Sequence, residues 1–335
     1  MNKNALQIGI NLGGWLSQYP AYDRQHFKTF ISADDIKRIA DWGMDHVRLP
    51  VDHPVLKDGF SYVETCLDWC EQNGLRVIID LHKAPGYSFD ALKEASLFQD
   101  ASLQERFVGL WQTIAQHFAG QMEDTLAFEL LNEIVLPDSG PWNALVAQTM
   151  ARIRALDSQR LILVGGNRYN APDELSNLKI LDDPNILYTF HFYSPMTVTH
   201  QKAPWVPVLV KYDQSVEYPG EAPSLGAFLE QHPDRKHMLE REIGAHFDKN
   251  YLHAVLQPAL DFSQQTGQMV YCGEFGVYER AAMSTRLNWL RDLISLLNEF
   301  GIGRAYWTYK AMDFGLVDKD GNVVSRELIE VISQR

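Results

Sequence analysis

The chain has 335 residues, 46% of them hydrophobic and 22% charged, a composition that suits a globular protein with room for one large α/β domain. Its formal net charge of −13 argues against nucleic acid or an anionic membrane as partner, because an acidic surface gains no counterion release from a polyanion. Three cysteines, Cys66, Cys70 and Cys272, are too few for a disulfide framework and lack zinc-ligand spacing, so they read as reduced core thiols.

Along the chain, short continuous apolar runs alternate with longer stretches of helical period, the pattern of parallel strands buried on both faces and covered by helices. The first run, "LQIGINL" (6–12), begins within a few residues of Met1 and leaves no room for a secretory apolar segment. That predicts a cytoplasmic chain as written, or an extracellular one if a leader has been trimmed away. Ser32 and Asp35 then start a helix that stops at Gly43. "HVRL" (46–49) is the second strand, and Ser61 with Glu64 reads as a capping box opening a helix closed by Asn73 and Gly74. "RVIIDL" (76–81), "TLAFELL" (125–131), "LILV" (161–164), "ILYTFHF" (186–192), "MVYC" (269–272) and "AYWTY" (305–309) supply the other six strands. Helical stretches cover roughly 101–119, 141–156, 251–266, 284–300 and 325–333. Eight strands in this alternation predict a (β/α)8 barrel, a TIM barrel, filling residues 1–335 as one domain. No glycine-rich phosphate fingerprint follows any strand, so no nucleotide cofactor is expected, and no motif suggests a metal.

One segment interrupts the alternation. From Ser194 to about Asn250, proline, aromatic and charged residues occupy a connection that a short loop would satisfy. It reads as a helical insertion after strand six (194–250), a wall or lid over the active face. No apolar run is long enough to cross a membrane, and without heptads or repeats a monomer is expected.

Barrel enzymes place their chemistry at the carboxyl ends of the strands. Here those ends carry Arg48, His82, Asn132 with Glu133, His191 with Tyr193, Glu274 and Trp307. Each alone has a structural reading: a histidine satisfies a core hydrogen bond, an arginine pairs, a tryptophan fills volume. Two carboxylates at corresponding heights among these partners point further, to glycoside hydrolysis. There one carboxyl must hold a proton for the leaving oxygen while the other stays ionised, so two similar residues need opposite environments. Glu129 shares Glu133's strand face one layer lower and reads as an interior group paired with a neighbour; Glu279 reads as loop surface. Trp15, Tyr87, Trp142 and Trp205 are candidate platforms for sugar rings, Trp205 above all because it falls in the insertion.

"GINLGGW", "HVRLPVD", "DLH.APG", "FELLNE", "FHFY", "YCGEFG" and "YWTYK" occur in this order across nearly the whole chain. Together they resemble glycoside hydrolase family 5, the cellulase family of retaining (β/α)8 enzymes. The "NLGGWLSQY" opening, the "GGN.YN.PDEL" segment and "THQKA.W" look most like the endoglucanase C type within it. One departure is Lys83, where that type has a second histidine. The resemblance implies Glu133 as general acid/base and Glu274 as nucleophile. Asn132 would hold the sugar 2-hydroxyl, and Arg48 and Tyr193 would orient and ionise Glu274. His82 and His191 would hold sugar hydroxyls and the acid/base, and Trp307 would floor the subsite. It implies an endo-β-1,4-glucanase acting on β-glucan polysaccharide or oligosaccharide, with β-mannanase or exo-β-glucanase as alternatives within the family. A non-catalytic carbohydrate-binding barrel is the alternative of another class.

Overall fold

The computed structural model describes residues 1–57, 59–90, 95–120 and 122–335. Eight parallel strands close on one another in chain order: β1 (Ile8–Asn11), β2 (His46–Asp52), β3 (Arg76–Lys83), β4 (Leu126–Glu129), β5 (Leu161–Gly165), β6 (Ile186–Phe192), β7 (Val270–Phe275) and β8 (Gly303–Tyr306). This is the TIM barrel that the alternation predicts. β8 ends earlier than the apolar pattern suggests, which leaves Trp307 just beyond the strand.

Side chains alternate across each strand, so residues two apart stack along the barrel axis. Ile78 therefore lies below Asp80 and His82, and Leu187 below Thr189 and His191. An inner apolar plug of Ile78, Ala127, Leu163, Leu187, Tyr271 and Ala305 fills the lower barrel, and polar groups occupy the layers above it. The pairing of β6 with β7 shifts register after Phe190, which sets His191 directly opposite Glu274. The larger core lies between strands and helices, where Trp111, Trp142 and Trp289 are fully buried.

Helices Ala33–Asp41, Ser61–Gln72, Ala101–His117, Gly140–Arg154, Lys249–Thr266, Met283–Glu299 and Arg326–Ile332 cover the sheet. Ser32 caps the first through a reciprocal box with Asp35. The box expected at Ser61 is absent: Ser61 is already inside its helix, Phe60 occupies the cap, and the Ser61 carbonyl accepts from Thr65 Oγ1 at 2.7 Å. β5 is followed by the 3-10 segment Pro172–Asn177. Cys66 and Cys70 are buried one turn apart with sulfurs 4.0 Å apart and unbonded, as core thiols should be.

The 194–250 segment contains the short helices Met196–Thr199, Pro207–Tyr212, Leu225–Gln231 and Lys236–Leu239. It is anchored to its neighbours by polar contacts. Trp289 Nε1 donates to the Ser194 carbonyl at 3.0 Å, Tyr218 OH to Asp292 at 2.8 Å, and Arg241 pairs with Asp173 at 3.1 Å.

Candidate active site

Arg48 organises the barrel mouth. It stands on β2 opposite Asn11 of β1 and is fully buried, so every guanidinium proton needs a partner inside the protein. Nε and Nη2 grip Glu129 at 2.7 and 3.0 Å in the two-pronged geometry that suits a carboxylate. Nη2 also meets Asp80 at 3.0 Å and Asn132 Oδ1 at 2.9 Å; Nη1 meets Asn11 Oδ1 at 2.9 Å and Glu274 Oε1 at 2.7 Å. Glu129 is thus the paired interior group that strand parity predicts. Asp80 and Asn11 are site residues that sequence reasoning missed, although a lone acid inside the apolar run "RVIIDL" was a signal available to be read.

Glu274 lies within β7, its second oxygen accepting from Tyr193 OH at 3.0 Å. Glu133 lies past the end of β4, where Asn132 N still donates to Leu81 O at 3.0 Å and so extends the ladder to the mouth. Its carboxyl meets His191 Nδ1 at 2.9 Å, and its backbone carbonyl accepts from Tyr87 OH at 2.8 Å. A carboxylate oxygen of each glutamate and His191 Nδ1 all lie within 4.8 Å of one another. Burial raises both acids, but unequally. Glu274 is pushed up to about 7 by burial while Arg48 and the Tyr193 hydroxyl pull it down. Glu133 is raised well above the usual carboxylate range by burial and then by the charge of Glu274. Arg48 and Tyr193 both favour charge on Glu274, so the proton shared by this pair belongs on Glu133.

The histidines stay neutral. Burial, with Arg48 next, depresses His82 to about 3 and holds His191 well below its ordinary value. His82 Nδ1 lies 2.6 Å from Asp80 Oδ2, which also accepts from Arg48; the ring therefore carries its proton on Nδ1 and leaves the Nε2 lone pair open. His82 Nε2, Asn132 Nδ2 and His191 Nε2 are all buried without a partner among the described residues. Three such polar groups at one mouth are costly unless a hydroxyl-rich ligand satisfies them. Trp307 lies parallel to His82 with ring centroids 5.8 Å apart. Gly13 allows this: a Cβ there would come within 2.7 Å of the Trp307 ring, which explains the glycine in "NLGGW".

The aromatic candidates divide. Trp15 is a core residue, its Nε1 donating to Phe27 O at 2.8 Å and its ring stacked on Trp69, so the expectation that it binds substrate is corrected. Trp142 is likewise buried, bonded to Gly165 O at 2.8 Å. Tyr87 is buried too and acts on the backbone around Glu133, its hydroxyl also accepting from Val135 N at 2.8 Å. Trp205 is 47% exposed and belongs to a ring cluster with Tyr278, His200 and Phe314, which adjoins Tyr193. Lys83 pairs with Asp90 at 2.8 Å, and Glu279 is exposed. Glu133, His191 and Glu274 offer a spacing that a divalent ion could use. Those atoms, however, already serve one another, Arg48 and Tyr193.

The sequence profile of the cellulases, glycosyl hydrolase family 5, matches residues 8–313. This chain belongs to that family. Endoglucanase C of Acetivibrio thermocellus is 43% identical over 341 residues, covering 99% of both chains. Cellodextrinase A of Ruminococcus flavefaciens is 34% identical, covering 88% of this chain and 83% of its own. Among solved structures, an endoglucanase superposes with a TM-score of 0.79 at 24% identity, covering 99% of this chain and 98% of the other. Thermotoga maritima Cel5A, solved with mannotriose, superposes at 0.77 and 24%, covering 98% of each. Both carry the barrel that this family 5 chain adopts.

Proposed function

We propose that this chain is a retaining endo-β-1,4-glucanase whose nucleophile is Glu274 and whose general acid/base is Glu133. The observation that carries the reading is the pair itself: oxygens of the two glutamates within 4.8 Å, one carboxylate held by arginine and tyrosine, the other beside a neutral histidine. Retaining glycosidases hold their carboxyls about 5–5.5 Å apart, and inverting ones need roughly 6.5–9.5 Å to seat a water. The full-length similarity to endoglucanase C supports the β-1,4-glucan substrate.

In this reading a Glu274 oxygen attacks the anomeric carbon as the glycosidic C–O bond breaks, and the departing oxygen takes the Glu133 proton. The product is a glycosyl ester on Glu274. Glu133, now ionised and relieved of repulsion by that ester, takes a proton from water as the water oxygen attacks the same carbon and the ester C–O bond breaks, which returns Glu274 as a carboxylate and Glu133 as the acid. Asn132 Nδ2 is the free donor beside the pair and suits the 2-hydroxyl. Trp307 supplies an apolar face for the sugar ring, and Trp205 a second surface in the 194–250 wall.

The test uses both glutamates. Wild-type enzyme releases the β-anomer first, followed by proton NMR. Glu274→Ala loses nearly all activity, and added azide restores it with an α-glycosyl azide as product. Glu133→Ala still forms the ester from substrates with good leaving groups, and azide releases it as the β-glycosyl azide. Azides of the same α configuration from both variants would overturn the assignment.

A further inference from the structure

The amino-terminal end of the barrel, opposite the mouth, carries a cavity of about 370 Å³ that the chemistry described above does not use. It lies where β8, β1, β2 and β3 begin, four strands that are neighbours in the closed sheet. Gln7 precedes β1, Asp45 precedes β2, Arg76 opens β3 and Arg304 is in the first turn of chain of β8; all four line the cavity, and Arg335 joins them from beyond the last helix. Three guanidinium groups thus share it with a single side-chain carboxylate, in a protein whose net charge is −13. That carboxylate is engaged elsewhere. Asp45 Oδ1 accepts from Gln7 N at 3.1 Å and meets His46 Nδ1 at 2.6 Å, and Oδ2 accepts from Ile8 N at 3.0 Å.

Arg304 is where the imbalance costs most. It is 2% exposed, so its charge has left water, and its acceptors are all neutral: Nη1 donates to Asn298 Oδ1 at 2.8 Å, and Nη2 to the carbonyls of Ile332 and Gln334. Its Nε is buried without a partner among the described residues. Burial pulls the group down to about 10, and the opposing influence of Cys272, Asp45 and Tyr271 does not offset it. A buried cation is expensive unless a counter-charge and hydrogen bonds replace its hydration. Among the described residues the side chains of Arg76 and Arg335 make no hydrogen bond or ion pair, so their donors are open to a ligand.

We propose that this cavity binds a phosphate group, with Arg304 in its wall and Arg76 and Arg335 supplying forked donors. A tetrahedral dianion offers oxygens to several guanidinium edges at once, which a single carboxylate does not. The group comes as the free ion or as the ester of a small molecule, whose remainder would meet the polar side chains of Asn4 and Gln7. Arg76 and His82 stand at opposite ends of β3, so the ligand does not compete with a glycan at the mouth.

The test is isothermal titration of the whole chain with inorganic phosphate at fixed ionic strength, chloride replacing it in the control. Wild type should bind saturably at one site, and its thermal midpoint should rise over the same concentration range. Arg76→Gln removes no contact seen among the described residues, so its circular dichroism and its hydrolysis of β-glucan should match wild type. Its phosphate Kd should nevertheless rise at least about tenfold, the size of one lost charge-assisted bond. Glucose 6-phosphate is the second probe: tighter binding than inorganic phosphate identifies an ester site, equal or weaker binding a site for the free ion, and either supports the proposal. No saturable binding of either compound overturns it. So does a midpoint that rises equally in wild type, Arg76→Gln and Arg335→Gln, because that is the general effect of phosphate as an excluded salt.

Discussion

Tyr193 and Arg48 divide the work of ionising Glu274, one on each oxygen, and this predicts what happens when one is removed. The Tyr193 hydroxyl pulls the Glu274 carboxyl down against the burial that raises it. Tyr193→Phe deletes the donor, raises Glu274 further, and shifts the acid limb of the kcat/KM profile to higher pH. A hydrogen bond to a charged group contributes about 1.5–3 kcal/mol, so the plateau should also fall by roughly 10- to 100-fold. A profile displaced to lower pH would show that the hydroxyl does not support the ionised form. Arg48 cannot be removed so simply, because Glu129, Asp80, Asn132 and Asn11 all depend on it. Its loss would strand buried carboxylates and cost stability before activity could be read.

At the scale of elements, the 194–250 segment has little regular structure to hold it, and a buried carboxylate performs that task. Glu242 accepts from Met196 N at 2.6 Å and from Thr197 N and Oγ1 at 3.1 and 2.6 Å, tying the segment's end to its first helix. Glu242→Ala leaves two buried amides unpaired, so urea unfolding should show a loss of about 1–3 kcal/mol, with proteolysis appearing first inside 194–250. Cleavage elsewhere first would show that the segment does not hang on this residue. The eight strands were legible because parallel strands buried on both faces leave uninterrupted apolar runs, and their polar terminators were legible because such runs stop abruptly at the mouth. The direction of an aromatic ring was not. Trp15 follows β1 closely and Trp205 lies in the insertion after β6, but Trp15 finds a carbonyl at Phe27 and turns inward, a choice made by tertiary contacts that no periodicity encodes. The Ser61 box failed for a related reason: the helix begins at Ser61 itself, which moves the cap position to Phe60, a residue packed against His117 and Phe118. Asp80 was hidden because strand pattern treats a single acid in an apolar run as an exception, and only the register of β2 against β3 brings Arg48 to it.

For the molecule as a whole, the barrel mouth sets how stability depends on pH. Asp80, Glu129, Glu133 and Glu274 surround a single guanidinium, and four carboxylates against one cation cannot all be ionised away from water. Burial pushes Asp80 and Glu274 up to about 7, and burial with the charge of Glu274 raises Glu133 well above the usual carboxylate range. Groups raised in the folded state contribute stability that is complete below their unfolded value, about 4, and is lost as pH rises through about 7. The histidines act with the opposite sign. His53 and His200 are lowered to about 4 and His82 to about 3, chiefly by burial, so their contribution is complete above roughly pH 6.5 and is lost as pH falls toward those values. Between pH 4 and 6.5 the two sets oppose each other. From 6.5 to about 7.5 the unfolded histidines release their last protons, a small opposing gain, and beyond that only the carboxyls still change, each retained proton lowering stability by up to about 1.4 kcal/mol per pH unit. Urea unfolding should therefore give a lower midpoint at pH 8 than at pH 6.5. Asp80→Asn removes one of those protons, and its amide oxygen can still accept from Arg48 and His82. The variant should lose less stability over that interval than wild type, whatever its stability at pH 6.5. A midpoint that is flat or rising from pH 6.5 to 8 in the wild type would mean that the cluster is fully ionised in the folded protein, and with it that Glu133 holds no proton to give.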